Sequence, residues 1–211
     1  MPAKFYAITD SDGEAAGSGG PTTRFAWNAY HIENYLLEPR FILKVLQDLN
    51  LAATPVDSID GVTAALCVCA EETIPTLVGH SLQVQSNRVL LKCLDLGFDR
   101  SRHDVSKAIA EAASSSEERI RRVVAEHLTP ERLKADEAML TTQARAQLTS
   151  GQWRSRFRGR DVLRRFVNTH LAGMAYEPFR DLIAARMRDG EFEPLEIKQI
   201  LEKILNDPWT A

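Results

Sequence analysis

The sequence predicts a mostly α-helical protein that opens with a short α/β segment of few strands. Three observations predict it. The chain begins with a nearly continuous apolar and β-branched run, Phe5-Tyr6-Ala7-Ile8-Thr9, the pattern of a strand covered on both faces. From about Leu51 onward, apolar residues recur at helical spacing. The composition, 44% hydrophobic and 26% charged over 211 residues, is that of a globular chain and excludes disorder as a whole.

The elements follow in order. The first strand ends at Asp10, and the segment DSDGEAAGSGGP, Asp10 to Pro21, holds four of the eleven glycines and reads as a loop. A second short strand is expected at Thr23 to Trp27, and a helical pattern begins over Tyr30 to Leu37. Pro39 suits the first turn of a further helix, with Phe41, Ile42, Val45, Leu46 and Leu49 along one face. Apolar, Ala-rich sequence fills Ile59 to Leu94, where Pro75 and Gly79 are expected to break or kink the helix. Val105 to Ala112 and Ile120 to Leu128 read as two amphipathic faces, the second preceded by Ser115-x-x-Glu118, which resembles a capping box. Thr129-Pro130 starts a new helix. Val162, Leu163, Phe166 and Val167 share one later face and Ile197, Ile200, Leu201 and Ile204 another, which Asp207-Pro208 ends.

This order divides the chain into a short α/β segment at 1–50, a helical insertion at 51–150 and a basic-then-acidic helical segment at 151–211. Two short strands cannot make a stable sheet alone, so the first segment reads as part of a sheet whose other strands are missing. Such an edge would promote association with a partner or a second copy.

Fully apolar runs are only a few residues long, so no segment is expected to cross a bilayer and no membrane partner is expected. The N-terminus has one Lys and no apolar core of leader length, which gives no sign of export. Cys67, Cys69 and Cys93 are odd in number and lack C-x-x-C spacing, which suits a reducing cytoplasm. The expected location is therefore cytoplasmic.

Charge is segregated behind a net of −3. Gly151 to Arg188 carries nine Arg against three acids, while both flanking regions are net acidic. A basic stretch made only of Arg within an acidic chain points to anionic partners.

Two motifs carry chemistry. In extended backbone, residues i and i+2 project to one side, so Asp10 and Asp12 can present two carboxylates at a strand end. Hard oxygen donors at this spacing suit Mg²⁺ or Mn²⁺. The same residues also suit a simple turn, with Gly13 supplying its geometry. Downstream lies His31-Ile32-Glu33-Asn34-Tyr35-Leu36-Leu37-Glu38-Pro39, where Glu33 is either a ligand or an acid favoured by a helix dipole.

A strand ending in ITDSDG, a second short strand and then YHIENYLLEP resemble the second half of the Toprim domain of the OLD (overcoming lysogenization defect) family of ATP-dependent nucleases and related AAA-type ATPases. The resemblance covers about the first 45 residues. It implies a partial Toprim-like Rossmannoid sheet, a divalent-metal site of Asp10, Asp12 and Glu33, and hydrolysis of DNA phosphodiesters. A later stretch, Phe157-Arg158-Gly159-Arg160-Asp161-Val162-Leu163, resembles the family's G-K-[DE]-hydrophobic-hydrophobic segment, with Arg160 at the position of the Lys that helps at the phosphate. Arg keeps the positive charge but cannot donate a proton at neutral pH. Arg154, Arg156, Arg158 and Arg160 are then expected to bind the DNA backbone, with Glu33 and Arg160 in catalytic roles.

The family's upstream ATPase has a G-x-x-x-x-G-K-[ST] loop, and the chain has none. The chain is therefore expected to be the C-terminal portion of such a nuclease, dependent on an ATPase domain or subunit. The alternative is a non-catalytic helical interaction module with a degenerate Toprim edge.

Overall fold

The computed structural model describes residues 6–9, 24–26, 29–53, 55–95, 97 and 104–206. Helices make up most of them: a 3-10 helix at Ile32–Leu37, then α1 (Pro39–Asp48), α2 (Ile59–Leu91), α3 (Val105–His127), α4 (Pro130–Thr149), α5 (Trp153–Arg156), α6 (Gly159–His170), α7 (Tyr176–Asp189) and α8 (Leu195–Leu205). The expected α/β opening is corrected. Only Ala7–Thr9 and Arg24–Ala26 pair, as a parallel ladder of three residues each, with Ile8 opposite Phe25. No third strand joins them among the described residues, and Ile8, expected to be covered, is exposed. Three paired residues cannot make a layer on which helices pack, so the described protein has no Rossmannoid sheet.

The chain divides into two compact units, residues 1–73 with 146–211 and residues 74–145, with boundaries inside α2 and α4. The first unit holds most of the core. In α1, Phe41, Ile42, Val45 and Leu46 sit at i, i+1, i+4 and i+5 and are all buried, the stripe an amphipathic helix turns inward. α1 packs on α7, where Asp48 accepts a 2.7 Å bond from Arg186 Nε. The same spacing recurs in α6, whose Val162, Leu163, Phe166 and Val167 are completely buried. Phe166 stacks on Phe179 of α7 with ring centroids 6.2 Å apart. Phe157, Phe166 and Phe179 are the largest fully enclosed side chains, each burial contributing on the order of 2–3 kcal/mol by removing apolar surface from water.

α2 starts where Ser58 Oγ accepts from Gly61 N–H at 3.1 Å, an N-cap bond. It then runs unbroken past Pro75 and Gly79 to Leu91. A proline inside a helix forfeits one backbone bond, and burial of Ile74 and Val78 beside it offsets that loss. Contrary to expectation, α2 is long and apolar enough to cross a membrane by length and composition, with a mean hydropathy of 1.3 over its best window. Of that window 44% is buried inside the protein.

In the second unit the two faces expected at 105–112 and 120–128 belong to one helix, α3. Ser115 lies inside it and donates to Glu111 O at 3.0 Å instead of capping. Asp104 is the cap, accepting from Lys107 N–H at 2.9 Å. Thr129 does cap α4, accepting from Arg132 N–H at 3.3 Å. Asp207 and Pro208, expected to end the last helix, lie outside the described residues.

Candidate functional site

Two stretches far apart in sequence, IENYLL and FRGRDVL, meet in the first unit through one side chain. Asn34 is buried, 7% exposed. Its Nδ2 donates to Arg154 O at 2.8 Å and Phe157 O at 2.7 Å, while Oδ1 accepts from His31 N–H at 3.1 Å and Gly159 N–H at 3.2 Å. Both amide donors and the carbonyl oxygen are thus satisfied, which removes the penalty of burying them. Gly159 is required by this joint: a Cβ there would lie 2.7 Å from Asn34 Cα and 2.8 Å from its backbone N. A further backbone bond, Tyr30 N–H to Ser155 O at 2.8 Å, runs alongside.

Glu33 precedes Asn34 on the 3-10 helix and Arg160 follows Gly159 in the first turn of α6. The joint therefore sets their separation. Both belong to the surroundings of Tyr176, the first residue of α7. Tyr176 is 6% exposed, and its hydroxyl is buried without a hydrogen-bond partner among the described residues. Three guanidinium groups stand over its ring, Arg164 at 5.0 Å from the centroid, Arg160 at 5.9 Å and Arg180 at 6.0 Å. These distances are within cation–π range. Burial raises the Tyr176 phenol above its ordinary value and Glu33 adds to this, while Arg160, Arg180 and Arg164 pull it back.

The counter-charges are unevenly shared. Arg164 reaches Glu177 at 3.4 Å and Arg180 reaches Asp181 at 2.7 Å. Arg160 is exposed and forms no ion pair among the described residues, and neither does Glu33, which is half-buried.

A concavity of the first unit is lined by Tyr35, Leu37, Arg154, Phe192 and Glu196, among others. Tyr35 donates its phenol hydrogen to Glu196. Burial pushes that phenol well above its ordinary value, and Glu196 pushes it further. The Cys69 thiol is pushed up to about 11 by burial, with Glu72 adding to the rise.

Of the residues expected at the site, Asp10 and Asp12 lie outside the described residues. Arg154 and Arg156 are exposed on α5, and Arg154 contributes its backbone carbonyl to Asn34. Arg158 lies 3.6 Å from Asp161, and its Nε is buried without a partner among the described residues. Sequence reading missed Asn34, Tyr176, Arg164 and Arg180. The i, i+4 spacing of Arg160 with Arg164 and of Tyr176 with Arg180 is the signal for the last three, and no spacing marks Asn34.

No cluster of three or more His, Cys, Asp or Glu side chains suited to a metal occurs among the described residues. Glu33 fits one place in a Mg²⁺ or Mn²⁺ site, as a hard oxygen donor whose carboxylate no cation of the described protein neutralises. No protein family, curated protein or solved structure matches this chain.

Proposed function

We propose that the chain acts on DNA phosphodiesters as the C-terminal portion of an OLD-like, divalent-metal-dependent nuclease, working with an ATPase domain or subunit. The observation that carries this reading is the Asn34 joint. It brings the two stretches on which the resemblance rests together, and with them the acid Glu33 and the base Arg160. Asp10, Asp12 and Glu33 would hold Mg²⁺ or Mn²⁺. When bound, the cation offsets negative charge on the phosphate and makes a water molecule more acidic.

The chain's own residues position the substrate. Arg160 can hold two phosphate oxygens at once. Arg154 and Arg156, exposed on α5, extend the basic surface and add sequence-independent affinity for the DNA backbone. Asn34 and Gly159 keep Glu33 and Arg160 at fixed separation, which limits the reorganisation needed when substrate binds.

The test is nicking of supercoiled plasmid in Mg²⁺ or Mn²⁺. Wild-type protein is expected to nick, and Asp12→Ala and Glu33→Ala to lose about a hundredfold or more of the rate. Equal nicking by all three proteins, or none by the wild type, rejects the reading. A non-catalytic interaction module is the second reading, favoured by the lack of a third strand among the described residues.

A further inference from the structure

We infer that Tyr176, Arg160, Arg164 and Arg180 form a phosphate subsite in which the Tyr176 hydroxyl donates a hydrogen bond to a non-bridging oxygen of a phosphodiester. The inference rests on the proposed nuclease reading for the identity of the ligand and on separate observations for the site.

The first observation is the phenol. A buried tyrosine hydroxyl normally finds a partner, and leaving one unmet costs about 1–3 kcal/mol. The Tyr176 hydroxyl has none among the described residues. The second is the three guanidinium groups gathered within 5.0–6.0 Å of its ring centroid. Like charges so close repel one another, and Arg160 has no carboxylate among the described residues to relieve it.

Around Tyr176, donors outnumber acceptors: three guanidinium groups stand over its ring, and Glu33 is the one carboxylate acting on its phenol. Guanidinium groups only donate, and a phenol can donate once. The matching ligand is an anion rich in acceptors, and a carboxylate offers its acceptors in a single plane. A tetrahedral phosphate takes donors from several directions. Glu33, the charged group that most strongly disfavours ionisation of this phenol, then selects among phosphates. Its repulsion is about twice as large for a dianionic monoester as for a monoanionic diester, because the Coulomb energy scales with ligand charge. The site therefore favours the internal phosphates of a nucleic-acid strand over terminal or inorganic phosphate. Binding draws the arginines off the ring face and onto the phosphate, with Arg160 moving at least cost because it has no ion pair to break among the described residues.

The experiment measures binding of a fluorescent single-stranded oligonucleotide by anisotropy in EDTA, so that no metal chemistry contributes. Variants are Tyr176→Phe, Arg164→Gln and Arg180→Gln. Tyr176→Phe removes one oxygen that has no partner among the described residues, so its thermal midpoint should equal or exceed the wild type's. Its affinity should fall about tenfold, the worth of one hydrogen bond to a charged group. Each Arg variant should lower the slope of log affinity against log salt by about 0.7–1. Inorganic phosphate, added at constant ionic strength, should compete only weakly. No binding by the wild type, or binding by Tyr176→Phe at wild-type affinity, overturns the subsite, and strong competition by inorganic phosphate overturns the preference for a diester. The two proposals fail separately. Metal-free binding that depends on Tyr176 without any nicking sinks the nuclease reading and leaves the subsite, whereas Glu33-dependent nicking with unaltered binding by Tyr176→Phe does the reverse.

Discussion

Replacing Asn34 by Asp changes one NH₂ group to an oxygen and leaves the shape of the joint intact, so its effect isolates the two bonds that Nδ2 donates. In the wild type these run to Arg154 O and Phe157 O at 2.8 and 2.7 Å. In Asn34→Asp both vanish, at about 1 kcal/mol each, and two carbonyl oxygens face a carboxylate oxygen where a donor stood. Leaving buried acceptors unmet beside a charge adds on the order of 1–3 kcal/mol. The expected loss is about 3–5 kcal/mol, a large share of the ~5–15 kcal/mol that holds a typical domain together. The bonds accepted from His31 N–H and Gly159 N–H survive, since the carboxylate still offers an oxygen to both. The sign of the pH dependence follows. Once protonated, the introduced carboxyl can donate to one of the carbonyls, so folding favours its neutral form and raises its pKa above the unfolded value of about 3.9. The penalty is full above the folded pKa and shrinks as pH falls through it. Urea unfolding followed by far-UV circular dichroism, at pH 8 and pH 5 with wild type alongside, measures both effects. A deficit below about 1 kcal/mol at pH 8, or one that does not narrow at pH 5, would refute the account of the joint.

Two other outcomes are expected of the same unit. Gly159→Ala should cost about 1–3 kcal/mol, because its Cβ would meet backbone atoms of Asn34 at 2.7 and 2.8 Å and neither can swing aside; wild-type stability by urea unfolding would show that the 3-10 helix and α6 are not in close contact. Cys67, half-buried, should react with iodoacetamide at pH 8 while Cys69 stays protected. The Cys69 thiol, pushed up to about 11, remains protonated until well above the ordinary thiol range, so its thiolate and its reactivity appear only as pH rises toward that value. Peptide mass spectrometry after timed alkylation distinguishes the two, and equal labelling contradicts the burial described.

The sequence made the helical region legible because α1 and α6 carry buried stripes that periodicity alone exposes. It misled at the N-terminus. A five-residue apolar run is short enough to satisfy a strand pattern without a sheet to join, and among the described residues only Ala7–Thr9 of that run pair. It misled again at Pro75 and at Ser115, where local signals for breaking and starting a helix are overridden by the packing of a long one. At the candidate site, IENYLL and FRGRDVL stood out as strings, but the reason they belong together did not. Asn34 finds its partners more than a hundred residues away, and no spacing rule reports such a contact. Tyr176 escaped notice for a related reason: a tyrosine at the start of an amphipathic helix looks like packing, and only tertiary structure reveals a hydroxyl without a partner among the described residues.

The first unit is discontinuous, and that imposes an order in time. Its early part, residues 1–73, is synthesised before residues 74–145 and well before α6 and α7. At ~5–20 residues per second the wait is on the order of several seconds. During it, the apolar stripe of α1 has no α7 to cover it and Asn34 has no carbonyls to bind. Closing the chain between Asn34 and Phe157, 123 positions apart, then costs about 4 kcal/mol of loop entropy before the joint returns any of it. The nascent chain should therefore bind chaperones chiefly while its second unit is being synthesised, and release them once α7 emerges.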